Sequence, residues 1–409
     1  MQTDAMVPAV YPMSRFRREE FEILKHGAFL NWASMSPAPF SAVSKFKEIA
    51  DSAYEFTGGN VSRAWSERSS ALRTEAAKLI NADVGEIAIA GSSTTQGIQL
   101  AFESISPSAG ENIVSLSSEF PSSGFETYKW KRKGVDIRTV DCPGGALSED
   151  DLSGAVDAKT KAVLIGSVNW VSGFRADLRK VAKIVHGVGA YLVVDAVQQM
   201  GAMKLDVAEA GPDFVAAGGQ KWMCSPFGCS LLYVRNAIHD ELNVPFPSLN
   251  NTVEPEYGWP SYFADEDNDP FLERRLVDDA RRFEYGGWMN HAGMIAMTES
   301  LKIINGIGTD AVSARIEKLE SYARDSLHSL GLKILSPENR ANRSSILTFA
   351  TGNHWMKNLD IVNALHEKGF VASARGISGF GGIRLSIHCF NDEADIDLFA
   401  GALKGELAK

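Results

Sequence analysis

Residues able to do chemistry stand directly after strand-like segments of this sequence. Because open α/β sheets bind ligands at the carboxyl ends of their strands, we expect these residues to share one site. Each residue type can make one kind of interaction with a ligand. Hydroxyls at the start of a helix bind a phosphate, a flat ring stacks on another ring, a carboxylate pairs with a cation, and an amine reacts with a carbonyl. The candidates are Ser93, Thr94 and Thr95 in "SSTTQGIQL", Phe120 in "SEFPSS", Asp195 and Gln198 in "DAVQQ", and Lys221 in "GGQKW".

Taken singly, each residue also has an ordinary structural use. Ser and Thr are favoured helix caps, a Phe is commonly a core residue, and a lone Lys is commonly solvated. Together they match one small molecule, because a phosphate, an aromatic ring, a basic ring nitrogen and an aldehyde are the parts of pyridoxal phosphate. Asp195 would keep the ring nitrogen protonated, and Lys221 among apolar walls would be a nucleophilic amine. The sequence therefore predicts a pyridoxal-phosphate site.

Seven strand-like segments lie between about residue 86 and residue 235. Several are continuously apolar, as expected when both faces of a parallel sheet are covered. The link from Lys221 to Cys229 is too short for a crossover helix, so we expect the last strand to run antiparallel. The pattern predicts an α/β fold. We expect an N-terminal segment (1–30) that packs on the small domain, a large domain (31–288) and a small C-terminal α+β domain (289–409).

The remaining third of the chain contains one more informative strand. Residues 243–270 are rich in Pro, Asn, acidic and aromatic residues, and they read as a long loop near a site or an interface. In "GGIRLSIHCFN", alternation puts Arg384, Ser386 and His388 on one face. We expect Asn391 to cap the last helix.

Composition limits the partners. The chain has 409 residues and a net charge of -10, which argues against nucleic acid or an anionic membrane surface as the main partner. No segment is long and apolar enough to cross a bilayer, and the first residues carry no targeting signature. The four cysteines lack metal-ligand spacing, so we predict no metal site. We expect a reduced, cytoplasmic enzyme.

These residues resemble the class V aminotransferase family of fold-type I pyridoxal-phosphate enzymes, which includes cysteine desulfurases, kynureninases and isopenicillin N epimerases. The resemblance covers most of the chain, from "GAFLNWASMSPAP" through "SSTTQGIQL", "SVNWVSG", "VVDAVQQ" and "GGQKW" to "GGIRLSIHCFNDEADID". It implies a mainly parallel seven-stranded sheet with a smaller C-terminal α+β domain. It also implies a homodimer with active sites at the subunit interface.

The resemblance implies a role for each candidate residue. Lys221 would bond covalently to the cofactor and move the substrate's α-proton. Asp195 would hold the ring nitrogen, and Arg384 would bind the substrate carboxylate through a bidentate pair. The other implied contacts are Ser93, Thr94, Thr95, Gln220 and Gly287 with the phosphate, Phe120 stacked on the ring, Gln198 on the ring hydroxyl, Asn169 or Trp170 beside the ring, and Asn31 and Ser34 in the substrate pocket.

Three positions depart from the family pattern. "GGQK" stands in place of Ser-x-His-Lys, so Gly218 offers no hydroxyl, although Gln220 can still donate to the phosphate. Gly286 and Gly287 stand in place of Gly-Thr, which leaves only backbone N–H groups to reach the phosphate of the partner subunit. Desulfurases carry a nucleophilic cysteine on the loop that reads "SARGISGFGG" here, and they use His where this chain has Phe120. A persulfide on the protein is therefore disfavoured.

The reaction is ranked rather than identified from the sequence. Transamination at the α-carbon of a small amino acid comes first, β- or γ-elimination such as carbon–sulfur cleavage second, and epimerisation third. A catalytically silent regulator is disfavoured because Lys221, Asp195 and Arg384 are all kept. A nucleotide-binding protein is disfavoured because "GSSTTQGIQ" matches neither glycine-rich phosphate loop.

Overall fold

The computed structural model describes residues 13–51, 59–269, 271–287 and 290–409. Residues 1–12 of the expected N-terminal segment, and the expected domain boundary at residues 288 and 289, lie outside these ranges. The strands are Ala28–Phe29 (β1), Ile87–Ile89 (β2), Asn112–Leu116 (β3), Asp136–Val140 (β4), Thr160–Gly166 (β5), Tyr191–Asp195 (β6), Phe214–Gly218 (β7), Ser230–Val234 (β8), Lys333–Ile334 (β9), Ile346–Ala350 (β10), Phe370–Val371 (β11), Ser373–Ile377 (β12) and Phe380–Ser386 (β13). The α-helices are Phe40–Asp51 (α1), Gly59–Ile80 (α2), Thr94–Ile105 (α3), Pro121–Arg132 (α4), Glu149–Ala155 (α5), Leu178–Gly187 (α6), Val207–Ala210 (α7), Gly258–Ala264 (α8), His291–Ile307 (α9), Thr309–Ser329 (α10), Trp355–His366 (α11) and Glu393–Leu407 (α12).

A seven-stranded sheet forms the centre of the larger part of the chain. Its strand order is β2-β8-β7-β6-β5-β3-β4. The neighbours from β4 to β7 pair in parallel, whereas β8 is antiparallel to both β7 and β2. The predictions of a mainly parallel seven-stranded sheet and of an antiparallel last strand are confirmed.

Both faces of this sheet are covered, which explains the continuous apolar runs. In β5, Val163 and Ile165 belong to one buried cluster, and Leu164 between them belongs to the cluster on the opposite face. Successive side chains of a strand point to opposite faces, so a strand buried on both sides must be apolar at every position. The carboxyl ends of β3, β5, β6 and β7 are thereby held rigidly beside one another.

A smaller antiparallel sheet, in the order β12-β13-β10-β9, belongs to the C-terminal part of the chain. Its own core includes Phe349, Leu385 and Phe399. The N-terminal segment contacts this part, because β1 pairs with β11 and the Arg18 guanidinium donates to both carboxylate oxygens of Asp395 at 2.7 Å.

Two sequence expectations are wrong in detail. Asp392, and not Asn391, caps α12, because the Asp392 carboxylate accepts from the Asp395 N–H in a reciprocal capping box. The Asn391 amide is buried instead, where it accepts from the indole of Trp32 and donates to the Phe29 carbonyl. The long loop also contains the short helix α8, whose aromatic-rich sequence lacks a recognisable helical stripe.

The described residues contain neither a membrane-spanning helix nor a metal-binding cluster. None of the helices there is long and apolar enough to cross a membrane. In the same ranges, no group of His, Cys, Asp and Glu side chains could hold a metal ion.

Candidate active site

One pocket lies at the carboxyl ends of the parallel strands. It contains about 480 Å³ of space between the protein atoms, part of which is open to solvent. Six residues singled out from the sequence line it together: Phe120, Asn169, Trp170, Asp195, Gln198 and Lys221.

Lys221 is partly buried on the loop that follows β7. The pKa of its amine is lowered to about 8, mainly by desolvation and also by the repulsion of Arg384 and Arg375, while the attraction of Asp195 acts in the opposite direction. The Lys221 Nζ lies 5.4 Å from the centre of the Phe120 ring. A lysine with this pKa is a neutral, nucleophilic amine much more often than one in water.

Asp195 ends β6 and is only 7% exposed. Its carboxylate accepts from the Val197 N–H at 3.0 Å and from the Ser123 hydroxyl, yet burial still raises its pKa. No cationic side chain of the described residues lies within 4.0 Å of it. A buried acid with hydrogen bonds but no close cation can accept a positive group from a ligand.

The start of α3 is tied to the end of β7. The Thr94 hydroxyl accepts from the Gly218 N–H at 2.8 Å, and the Ser93 hydroxyl caps α3 by accepting from the Gln96 N–H. Ser93, Thr94 and Thr95 lie outside the lining of the pocket, at the positive end of the α3 dipole, where a phosphate group is favoured. Gly218 lies three residues before Lys221 in the sequence, so this hydrogen bond links the start of α3 to the segment that carries Lys221.

The side chain of Gln220 occupies the space that a side chain at position 218 would need. A Cβ atom at this position would lie 2.4 Å from the Gln220 Oε1, so a larger residue would have to displace the end of the Gln220 side chain. That Gln220 oxygen is buried without a hydrogen-bond partner. Gly287 also lies outside the pocket lining, and its carbonyl accepts from the Asn250 side chain at 2.6 Å.

Asn169 and Trp170 both line the pocket but differ in their hydrogen bonds. The Asn169 amide donates to Ser118 and accepts from the N–H groups of Val171 and Ser172, so its polar atoms are satisfied within the protein. The indole N–H of Trp170 is buried without a partner, and its ring lies edge-on to Phe120 with centres 5.5 Å apart. Gln198 is satisfied too, since its amide bridges the carbonyl of Ala33 and the indole of Trp222.

Ser34 joins three polar side chains beside the pocket. Its hydroxyl donates to the Asn31 Oδ1 at 2.8 Å and accepts from Arg384 at 2.7 Å and from Arg375 at 3.1 Å. Arg384 is only 1% exposed and also donates to the Trp170 carbonyl at 2.6 Å. Burial and the charge of Arg375 lower its pKa to about 9. Within the described ranges, no carboxylate lies at ion-pair distance from either guanidinium, so the pair is ready for an anion.

Two lining or neighbouring residues were missed at the sequence level. Arg375 stands in "SARGIS", and the signal was its position on the strand next to that of Arg384. Glu119 stands directly before Phe120, and its carboxylate accepts from the Gly166 N–H at 2.6 Å. Burial and the nearby charge of Asp195 raise the Glu119 pKa to about 8. The signal for Glu119 was an acidic residue at the carboxyl end of a parallel strand.

A tight hairpin replaces the loop on which a nucleophilic cysteine could have stood. Ile377 pairs with Phe380 across a two-residue turn, and both turn residues, Ser378 and Gly379, have positive φ. This pattern is typical of a type I′ hairpin. The Ser378 hydroxyl donates to the Ser117 carbonyl, which fixes the tip of the hairpin over the turn after β3. The four cysteines are all buried, and none lies in the hairpin.

The residues present fit pyridoxal phosphate. The pocket offers an amine of lowered pKa, an acid without a close cation and a helix start, and the unpartnered N–H of Trp170 and Oε1 of Gln220 are buried beside them. This fold and site define a fold-type I pyridoxal-phosphate enzyme.

The comparisons give the particular family. Residues 44–399 match the family model described as aminotransferase class-V, and the chain belongs to this family. It is 28% identical over 408 residues to a probable cysteine desulfurase of Methanothermobacter thermautotrophicus, covering 95% of this chain and 96% of the relative.

Two solved structures have the same fold. A cysteine desulfurase from Thermococcus onnurineus NA1 superposes with a TM-score of 0.82 at 20% identity, covering 98% of this chain and 99% of the other. The cystine C–S lyase C-DES, in complex with its product cysteine persulfide, has a TM-score of 0.83 at 18% identity, covering 94% and 99%.

Proposed function

We propose that this enzyme is a carbon–sulfur lyase that cleaves a sulfur-substituted amino acid and releases the sulfur product to solution. The names of the similar proteins support carbon–sulfur cleavage over transamination, which the sequence alone had ranked first. One structural observation carries the second half of the proposal: the turn that leads into the strand of Arg384 is a two-residue hairpin with no thiol, and its tip rests on Ser117 after β3. Sulfur cut from the substrate therefore has no cysteine on that hairpin to receive it.

Five residues are assigned to holding the cofactor. Lys221 is the covalent anchor, Asp195 the partner of the ring nitrogen, and Phe120 the stacking surface. Gln198 lies at the ring hydroxyl, and the start of α3 with Thr94 receives the phosphate. When bound, pyridoxal phosphate supplies an electron sink for bonds that break at the substrate's α-carbon.

The substrate carboxylate is assigned to the two arginines. Arg384 and Arg375 both donate to the Ser34 hydroxyl, so a carboxylate placed beside Ser34 is within reach of both guanidinium groups. Because neither arginine has an acidic partner, binding an anion there relieves the repulsion between them. Asn31 orients the Ser34 hydroxyl by accepting its hydrogen bond, which leaves the serine oxygen free to accept from the arginines.

Lys221 is assigned the proton transfer. Its Nζ, with a pKa of about 8, removes the α-proton of the substrate once the amine is released. The electron pair left at the α-carbon then forms a double bond to the β-carbon while the β-carbon–sulfur bond breaks with its pair remaining on sulfur. After taking up a proton, the sulfur leaves as hydrogen sulfide, a thiol or a persulfide, according to its substituent. The exposed face of Phe120 at the pocket offers no acid or base, so Lys221 is the assigned base.

The test is a product assay on the full-length enzyme loaded with pyridoxal phosphate. With L-cystine or L-cysteine as substrate and no keto acid added, we expect pyruvate and ammonia in equal amounts, together with persulfide or sulfide. Lys221→Ala should abolish the reaction. Lys204→Ala, at an exposed lysine paired with Asp310, is the matched control and should leave it unchanged.

Other outcomes would replace the proposal. Keto acid that forms only when an acceptor keto acid is supplied would establish transamination, and inversion at the α-carbon without products would establish epimerisation. Retained radioactive sulfur on the denatured protein would contradict release to solution.

We also propose a homodimer in the cytoplasm. Helix α4, whose N-cap is Phe120 beside the pocket, exposes Phe125 and Tyr128, at 63% and 56%, as expected of a face covered by a second copy. The four free thiols suit a reducing compartment. Light scattering of the purified protein tests the dimer, and a monomer would contradict it.

A further inference from the structure

Two acidic side chains, Glu119 and Asp195, line the same pocket, and the charge of Asp195 acts on Glu119. Glu119 follows β3, and its carboxylate accepts from the Gly166 N–H at the end of β5. Gly166 is the register partner of Asp195 at the end of β6. A Cβ atom on Gly166 would lie 3.2 Å from the Glu119 Oε2, so this glycine makes the room that the second acid occupies.

The hydrogen bonds and charges around each carboxyl group determine which of the two acids is ionised. Asp195 accepts from the Val197 N–H and the Ser123 hydroxyl and is attracted by Lys221. Glu119 accepts from the N–H groups of Gly166 and Phe120, and no cationic side chain in the described part of the chain acts on it. Since two neighbouring carboxylates in a desolvated pocket do not both ionise readily, the negative charge is more stable on Asp195 and the proton on Glu119.

We propose that Glu119 is a positioning residue that keeps one proton on its carboxyl group, so that the charge of the acid pair stays on Asp195. The proposal rests on the assigned role of Asp195 as partner of the cofactor's ring nitrogen. Were Glu119 ionised, Asp195 would hold the shared proton part of the time and would then fail to attract a protonated ring nitrogen. A neutral Glu119 still accepts from Gly166 through its carbonyl oxygen.

Other titratable groups nearby set the design of the test. Cys142, after β4, is a titratable side chain on which Glu119 acts: burial raises the pKa of its thiol to about 11, and a charge on Glu119 raises it as well. Lys221, on the loop after β7, acts on Asp195 and has a pKa of about 8, the same as that of Glu119. Cofactor absorbance would respond to both groups, so a signal specific to carboxyl groups is needed.

The experiment is infrared difference spectroscopy of the full-length enzyme loaded with pyridoxal phosphate. We expect the carbonyl stretch of a neutral carboxylic acid in the wild type and its loss in Glu119→Gln. Asp150→Asn, at an exposed acid of α5, is the matched control and should keep the band. In the wild type alone the band should fade as the pH rises through about 8, which tests the proposal even if a variant does not fold.

Three results would overturn the proposal. The band could survive in Glu119→Gln and vanish in Asp195→Asn, which would put the proton on Asp195. It could fade near the ordinary pKa of a glutamate. Glu119→Gln could fold yet lose the cofactor, which would mean that a charged carboxylate is needed. None of these results depends on which amino acid the enzyme cleaves, so failure here is distinguishable from failure of the lyase assignment.

Discussion

Replacing Arg384 with methionine should separate stability from substrate binding. Arg384 is 1% exposed, and its pKa falls from 12.5 to about 9, which corresponds to a penalty of roughly 5 kcal/mol on the charged form. Because the folded state disfavours the charge, removing it relieves this penalty. The carbonyl of Trp170 and the hydroxyl of Ser34 lose a donor, at about 1–3 kcal/mol each. We therefore expect the free energy of unfolding to stay unchanged or to rise by about 3 kcal/mol.

Substrate binding should become weaker in Arg384→Met. Two charge-assisted hydrogen bonds to a carboxylate contribute about 1.5–3 kcal/mol each. Their loss should weaken substrate binding about 10²- to 10⁴-fold. The pKa of Lys221 should also rise, because the repulsion of Arg384 is one of the causes that lower it.

Denaturant unfolding, substrate titration followed by cofactor absorbance, and the pH dependence of cofactor uptake measure these three effects. The matched control is Arg73→Met. Arg73 is also buried, but it donates to the buried Glu284 at 2.6 Å, so its loss should destabilise the fold by about 3–5 kcal/mol. A loss of stability in Arg384→Met as large as that in Arg73→Met, with unchanged substrate affinity, would refute the reasoning.

Two further predictions concern the pH range of the active site and the end of the chain. The rate of pyridoxal-phosphate uptake by cofactor-free protein should rise with pH and level off above about 8, because only the neutral Lys221 amine attacks an aldehyde; stopped-flow absorbance would contradict this with a pH-independent rate. Asn391→Ala should lower the free energy of unfolding more than Asp392→Ala does. The first change leaves the buried Trp32 indole without a side-chain acceptor, whereas the helix cap lost in the second contributes only about 1 kcal/mol. Equal unfolding midpoints in urea would contradict this prediction.

Residues at strand ends could be predicted from the sequence. Asp195 and Lys221 each follow an apolar run, and a parallel sheet brings such ends together whatever the details of the connections. That argument needs only the order of the strands, which periodicity and short links supply. It says nothing about side-chain direction, which explains why Asn169 and Trp170 could not be separated.

Residues defined by partners distant in sequence could not be predicted. The role proposed for Arg375 depends on its hydrogen bond to Ser34, which is 341 positions away in the sequence. Asn391 reads as a helix cap, yet its amide binds across to Phe29, 362 positions earlier. Glu119 was not singled out, because its neighbours Gly166 and Asp195 come from two other strands. In each case local propensity was overridden by a contact that only the folded chain supplies.

The two-residue turn at Ser378 and Gly379 has a consequence for how such enzymes diverge. Surface turns tolerate insertions at little thermodynamic cost, because closure entropy grows slowly with loop length. Lengthening the chain between Ile377 and Phe380 would add a mobile arm without disturbing the β12–β13 pairing or the strand that carries Arg384. If the lyase assignment holds, such an insertion could change where the released sulfur goes without changing the residues assigned to the cleavage step.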